Sequence, residues 1–90
     1  MTYAIFRTSS FKKAYKKLAS PEQELVLMIV LKLANGENLD EKYKDHFLIG
    51  NYKGCRECHI KPDLLLIYKI NNDEVELVLV EVGKHSKLFK

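Results

Sequence analysis

His46, His59 and His85 are the residues of this 90-residue chain whose type and placing best suit chemistry. Each stands among polar neighbours at the edge of an expected element: Lys44-Asp45-His46, Glu57-Cys58-His59 and Gly83-Lys84-His85. None falls within an apolar stripe. Imidazole titrates near neutrality, so two of them can serve one reaction as base and acid. Asp63 follows His59 by four residues, across Pro62, and adds a carboxylate. Such a set suits metal-independent cleavage of RNA. One group takes the proton of a ribose 2′-hydroxyl, that oxygen attacks the adjacent phosphorus, and a second group protonates the departing 5′-oxygen. A cation must stabilise the crowded phosphate. An aromatic side chain such as Phe89 can stack on a base and hold the scissile bond in place. Any one of these histidines alone reads as an ordinary surface residue.

A second pattern overlaps the first. Cys55-Arg56-Glu57-Cys58-His59 is a C-x-x-C-H, the attachment spacing of a c-type haem. Haem attachment needs both thiols on one edge of the porphyrin. In a strand, residues three apart point to opposite faces, and "CRECHI" reads as a strand. A thioredoxin-type pair would open a helix, and no helix is expected here. Zinc could draw on Cys55, Cys58, His46, His59 and His85, but no second close pair repeats the metal spacing. The expectation is therefore no metal and no small-molecule cofactor, with Cys58 in core packing and Cys55 near the start of the strand.

The elements that must position these residues follow from pattern. "TYAIFR" (2–7) is rich in strand formers. In "SSFKKAYKKLAS", Phe11, Ala14, Tyr15 and Leu18 make one helical stripe, with Ser9 or Ser10 as the expected cap. In "SPEQELVLMIVLKLANG", Ser20 with Pro21 and Gln23 predicts a capping box. Gly36 predicts the left-handed residue that ends the helix. Leu25 to Leu31 are apolar on every side, so that helix is either deeply buried or covered by a partner. Residues 37–54 read as irregular. Then "CRECHI" (55–60), "DLLLIYKI" (63–70) and "EVELVLVEV" (74–82) read as strands, with Asn71-Asn72-Asp73 as a hairpin turn. In the last, Val75, Leu77 and Leu79 alternate on one face and Val78, Val80 and Val82 on the other, which predicts a central strand. The order β-α-α-β-β-β predicts a single α+β domain over residues 1–90, a helical hairpin packed on a mostly antiparallel sheet.

Bulk properties narrow the class. No apolar run reaches the ~18 residues a membrane span needs. The opening residues lack a basic stretch followed by an apolar one, so the expectation is a cytoplasmic protein with reduced thiols and no membrane partner. Net charge is +3, unevenly spread. Residues 1–20 hold Arg7, Lys12, Lys13, Lys16 and Lys17 and no acidic residue. That patch suits a phosphate backbone or an acidic protein partner, and it also suits a solvated helix face.

At these residues the sequence resembles a known family. "KDHFLIGNYKGCRECHIKPDLLLIY" and "GKHSKLF", which together span about residues 42–89, are similar to the YafQ-type branch of the RelE-like bacterial toxins. The resemblance implies the same β-α-α-β-β-β fold and a ribosome-dependent endonuclease that cuts mRNA in the A site. It implies a cognate antitoxin protein, the ribosome with its 16S RNA, and mRNA as partners. Residue by residue, it implies His46 as candidate general base, His85 as candidate general acid, and His59 and Asp63 as further catalytic groups. It implies Glu57 at the acidic position before His59, Phe89 as the aromatic that contacts RNA, and Lys12, Lys13, Lys16 and Lys17 as ribosome-binding lysines. Two positions depart from the family. Leu64 stands where tryptophan is frequent. Glu81 stands where the family has the arginine expected to clamp phosphate, leaving Lys84, Arg56 or Lys53 to replace it, or Glu81 itself to serve as a base. A carboxylate there repels phosphate at close range. This motivates a second reading, an inactive homologue that only binds antitoxin or ribosome.

Overall fold

The computed structural model describes residues 2–88. Strand β1 (Ala4–Arg7) leads into helix α1 (Ser9–Lys16) and helix α2 (Ser20–Ala34). Then come β2 (His46–Phe47), β3 (Arg56–Lys61), β4 (Leu64–Asn71), β5 (Glu76–Lys84) and a one-turn helix α3 (His85–Leu88). The five strands form one sheet in the order β1-β5-β4-β3-β2, with β1 parallel to β5 and every other pair antiparallel. The predicted fold is thus observed, with β2 and α3 added to it. Among the described residues no helix is long and apolar enough to cross a membrane.

Both helix starts differ from expectation. Thr8, not Ser9 or Ser10, caps α1: its hydroxyl accepts from the Phe11 N–H at 3.0 Å and donates to the Val80 carbonyl at 2.7 Å. One threonine therefore satisfies an orphan donor of α1 and ties it to β5. For α2 the flanking residue is Ala19, with no side-chain cap, and Ser20 is already helical. Gln23 makes no capping box. Its amide instead donates to the Tyr15 carbonyl at 2.9 Å, while the Tyr15 hydroxyl donates to the Gln23 carbonyl at 3.3 Å. That reciprocal pair fixes the corner between the helices. The end of α2 follows the glycine rule. Gly36 has φ +78°, its N–H donates to Leu33 and the Glu37 N–H donates to Lys32, which satisfies the last carbonyls.

The core lies between α1, α2 and one face of the sheet. It contains Phe11, Val26, Ile29, Val30 and Leu33 from the helices and Cys58, Leu64, Leu66, Tyr68, Leu77, Leu79 and Val82 from the strands. Only one side of α2 is covered: Leu25, Leu27, Met28 and Leu31 remain exposed. Two bulges modify the alternation. On β5, Tyr68 pairs with Leu79 but Ile67 pairs with Glu81, so Val80 is an extra residue. This corrects the face assignment read from the sequence. Past the bulge the parity flips, so Val82 joins Leu77 and Leu79 in the core, and Glu81 falls on the opposite face. Val75 is not in the strand. It closes the turn with φ +55°, and its carbonyl accepts the Ala4 N–H at 2.9 Å.

Candidate active site

Strand β3 places its residues alternately on the two faces of the sheet. Cys58 points into the core, fully buried. Glu57 and His59 point to the face without helices. Edge strand β2 sets His46 opposite Glu57, which brings three chemical groups together. Glu57 is only 5% exposed. Its Oε1 lies 3.2 Å from His59 Nε2 and 3.9 Å from His46 Nε2. The two imidazole rings are 6.5 Å apart between centroids.

The contacts of His46 define its tautomer. Nδ1 lies 2.6 Å from the Lys44 carbonyl, and a carbonyl oxygen only accepts, so Nδ1 carries the proton. In the neutral ring Nε2 is then the basic nitrogen, half exposed and facing Glu57. The Lys44 carbonyl is presented by a backbone at φ +49°, left-handed and uncommon for a lysine. For His59, Nε2 lies 3.2 Å from the Glu57 carboxylate, an ion pair when the ring is protonated.

A second group lies at the far corner of the sheet, where Lys84 is in register with the core residue Leu64 and so lies on the helix side. Asp63, in the turn between β3 and β4, pairs with Lys84 at 3.7 Å, both well exposed. His85 follows Lys84 and opens α3. Asp63 is thus held by Lys84 and not by His59. His59 is opposite Leu65, and Leu65 is opposite Gly83. Two strand spacings, about 10 Å, separate His59 from Gly83, and His46 on β2 lies one spacing farther out. Glu81 lies in the row of Glu57 and Ile67, also two strands from Glu57.

Arg56 does not join this site. It is on the helix side of β3, where Nε donates to Asp45 Oδ1 at 3.1 Å and the guanidinium sits 4.2 Å over the Phe47 ring. The hydrogen bond it donates to Asp45 raises its already high pKa. Asp45 Oδ2 accepts from the Tyr68 hydroxyl at 2.7 Å. Burial, reinforced by that carboxylate, pushes the Tyr68 phenol up. Of the expected phosphate ligands, Arg56 is therefore corrected to a structural residue on the other face. Lys53 is exposed at the end of a 3-10 turn. Phe89 lies outside the described residues. Lys12, Lys13, Lys16 and Lys17 are all exposed on α1. Lys13 and Lys17 border a cleft of about 440 Å³ between α1 and β5, shared with Glu81, Lys84 and Lys87.

Neither cysteine takes part. Both are free and buried, and burial pushes the Cys58 thiol up to about 12, so it stays neutral and unreactive. Among the described residues no three His, Cys, Asp or Glu side chains are arranged to hold a metal ion.

Comparison with known proteins identifies the family and the fold. Residues 3–90 match the family model of the bacterial toxin of type II toxin–antitoxin systems, YafQ. This chain belongs to the YafQ toxin family. A YafQ toxin of Haemophilus influenzae is 44% identical over 57 residues, 61% of this chain and 56% of the relative. The mRNA interferase toxin YafQ of Escherichia coli is 36% identical over 78 residues, 86% of this chain and 82% of that toxin. The crystal structure of YafQ from Escherichia coli superposes with a TM-score of 0.87 at 28% identity, covering 98% of this chain and 99% of that one. A metal-bound toxin from Helicobacter pylori superposes at 0.85 with 41% identity, covering 99% and 100%. YafQ in the Escherichia coli DinJ-YafQ toxin–antitoxin complex superposes at 0.78 with 27% identity over the full length of both chains.

Sequence reasoning missed Asp45 and Tyr68 as partners of the site. The signal was present, since Asp45 precedes His46 and strand alternation separates Arg56 from Glu57.

Proposed function

We propose that this YafQ-family toxin is a ribosome-dependent endoribonuclease that cuts mRNA in the A site by metal-independent acid–base chemistry. The observation that carries the reading is Glu57, a nearly buried carboxylate set between two imidazoles on the helix-free face. His46 Nε2 takes the proton of the ribose 2′-hydroxyl. As the ring becomes cationic, Glu57 Oε1 at 3.9 Å stabilises it. The 2′-oxygen attacks phosphorus, the bond to the 5′-oxygen breaks, and His85 returns a proton to that oxygen. The products are a 2′,3′-cyclic phosphate or 3′-phosphate end and a 5′-hydroxyl end. His59, 3.2 Å from Glu57, positions the carboxylate. Lys84, held by Asp63, stabilises charge on the phosphate, with Lys53 as a further cation and Phe89 stacking on a base.

The lysines of α1 bind the ribosome and its 16S RNA, which places the protein in the cytoplasm. The Escherichia coli relative is bound by an antitoxin, and a cognate antitoxin partners this chain in the same way. The test is cleavage on programmed ribosomes: the parent cuts A-site mRNA and His85→Ala loses activity in vitro and toxicity in cells. Intact mRNA with the parent, and equal toxicity of the two, would sink the reading.

Glu81 supports one alternative, a toxin homologue that binds antitoxin or ribosome without cutting. Its carboxylate stands in the same row as Glu57, where a phosphate would meet two negative charges. On that reading Glu81→Arg causes growth arrest where the parent causes none. Equal effects from both chains count against it.

A further inference from the structure

The two-residue strand β2 carries His46 at the outer edge of the sheet, with only two pairs in register. So few backbone pairs do not fix an imidazole to the precision that proton transfer needs. The helix side of the sheet supplies what is missing. The Asp45 carboxylate uses both oxygens, Oδ1 on Arg56 of β3 and Oδ2 on Tyr68 of β4. It therefore reaches past its neighbour strand to a second one. Tyr68 is almost wholly buried in the core, so the clamp is anchored in the core. Phe47, the other residue of β2, stacks one side of its exposed ring on the Arg56 guanidinium, 4.2 Å from the ring centroid. The Leu48 N–H donates to the Cys55 carbonyl at 2.9 Å beyond it. On the other side of Asp45, the left-handed Lys44 turns its carbonyl onto His46 Nδ1. Asp45 is thus the hinge point between the strand that carries His46 and the carbonyl that sets its tautomer.

We infer that Asp45 is a positioning residue for His46, acting from the opposite face of the sheet through its clamp on Arg56 and Tyr68. Its carboxylate takes no part in proton transfer, because both oxygens are committed on the side away from Glu57. The clamp holds the Lys44–His46 turn, and so keeps the basic nitrogen of His46 aimed at the substrate side. The inference rests on the nuclease reading for its catalytic consequence, but not for the state of the imidazole itself.

The experiment is long-range nitrogen–proton NMR of the histidine rings in the whole chain, paired with the ribosome cleavage assay. In the parent, neutral His46 is the Nδ1–H tautomer. In Asp45→Asn and Tyr68→Phe, His46 shifts to a mixture of tautomers, and kcat falls roughly tenfold to a hundredfold while KM is unchanged. Thr8→Ala, which removes the α1 cap and destabilises from elsewhere, leaves tautomer and kcat as in the parent. If Asp45→Asn does not fold, Tyr68→Phe, which removes one hydroxyl and keeps the ring, carries the test. Parent-like tautomers in both clamp variants, or an equal change in Thr8→Ala, overturn the inference. Should the parent not cut mRNA, the NMR result still decides the clamp, so the two failures are distinguishable.

Discussion

The two faces of the sheet at strand β3 each meet a carboxylate, Asp45 from beside β2 and Glu57 from β3 itself, and the two are used differently. On the helix side, Asp45 is saturated: an arginine and a tyrosine occupy both oxygens, and an aromatic ring covers the arginine. On the open side, Glu57 shares one oxygen between two imidazoles, at 3.2 Å and 3.9 Å. The first arrangement is closed and holds backbone in place. The second has a shared contact that a proton transfer can redistribute, and it looks onto a half-exposed histidine. The lesson is that a charged residue at a sheet edge is assigned by what saturates it, and that face decides this before residue type does. Arg56 and Glu57 are neighbours in sequence, yet one belongs to the scaffold and the other to the site.

The contrast can be broken from either side. The largest effect is expected on the helix face. Leu66→Ala removes a fully buried side chain from the core and should cost about 2–5 kcal/mol in denaturant unfolding. A loss below about 1 kcal/mol would mean that the core is not where the two faces divide. On the open face, Glu57→Gln keeps the shape and removes the charge that stabilises cationic His46. Cleavage should fall about a hundredfold, near 2.7 kcal/mol in activation free energy. Stability should change by less than in Leu66→Ala. A larger loss of stability than of rate would make Glu57 a structural residue like Asp45.

The third prediction concerns pH. The Cys58 thiol ionises at about 12 in the folded chain, above its ordinary 9.0, because burial disfavours the thiolate. The unfolded chain therefore loses this proton first as pH rises. The stability linked to it is complete below 9.0 and is lost between there and about 12. Unfolding free energy should fall by up to about 1.4 kcal/mol per pH unit in that window, and the decline should be shallower in Cys58→Ala. Identical slopes would show that Cys58 is not the buried proton.

Much of this was legible in the sequence. The helical hairpin follows from the stripe of Phe11, Ala14, Tyr15 and Leu18 and from the stop at Gly36. The three long strands follow from apolar alternation, and the haem-like spacing fails because Cys55 and Cys58 lie in and beside a strand. What was hidden depends on contacts distant in sequence. Strand β2 has two residues and no pattern; it exists because His46 and Phe47 find Glu57 and Arg56. Thr8 outcompetes Ser9 and Ser10 as a cap because its hydroxyl also reaches Val80, 72 residues away. The side of Val82 was misread because one extra residue, Val80, reverses the parity of the strand, and a bulge leaves no mark in alternation of valines. Among the site residues, the histidines and Glu57 were found through type and motif. Arg56 was assigned to phosphate by charge alone, and Asp45, the residue that occupies it, was overlooked.

One measurement tests the central claim most directly: cleavage of mRNA on ribosomes programmed with a defined A-site codon, with the ends of the products analysed. The account predicts a cut within the A-site codon that leaves 2′,3′-cyclic phosphate or 3′-phosphate and 5′-hydroxyl ends, and that is lost in His46→Ala and His85→Ala. Intact message with the parent chain, or cleavage that survives both substitutions, would contradict it.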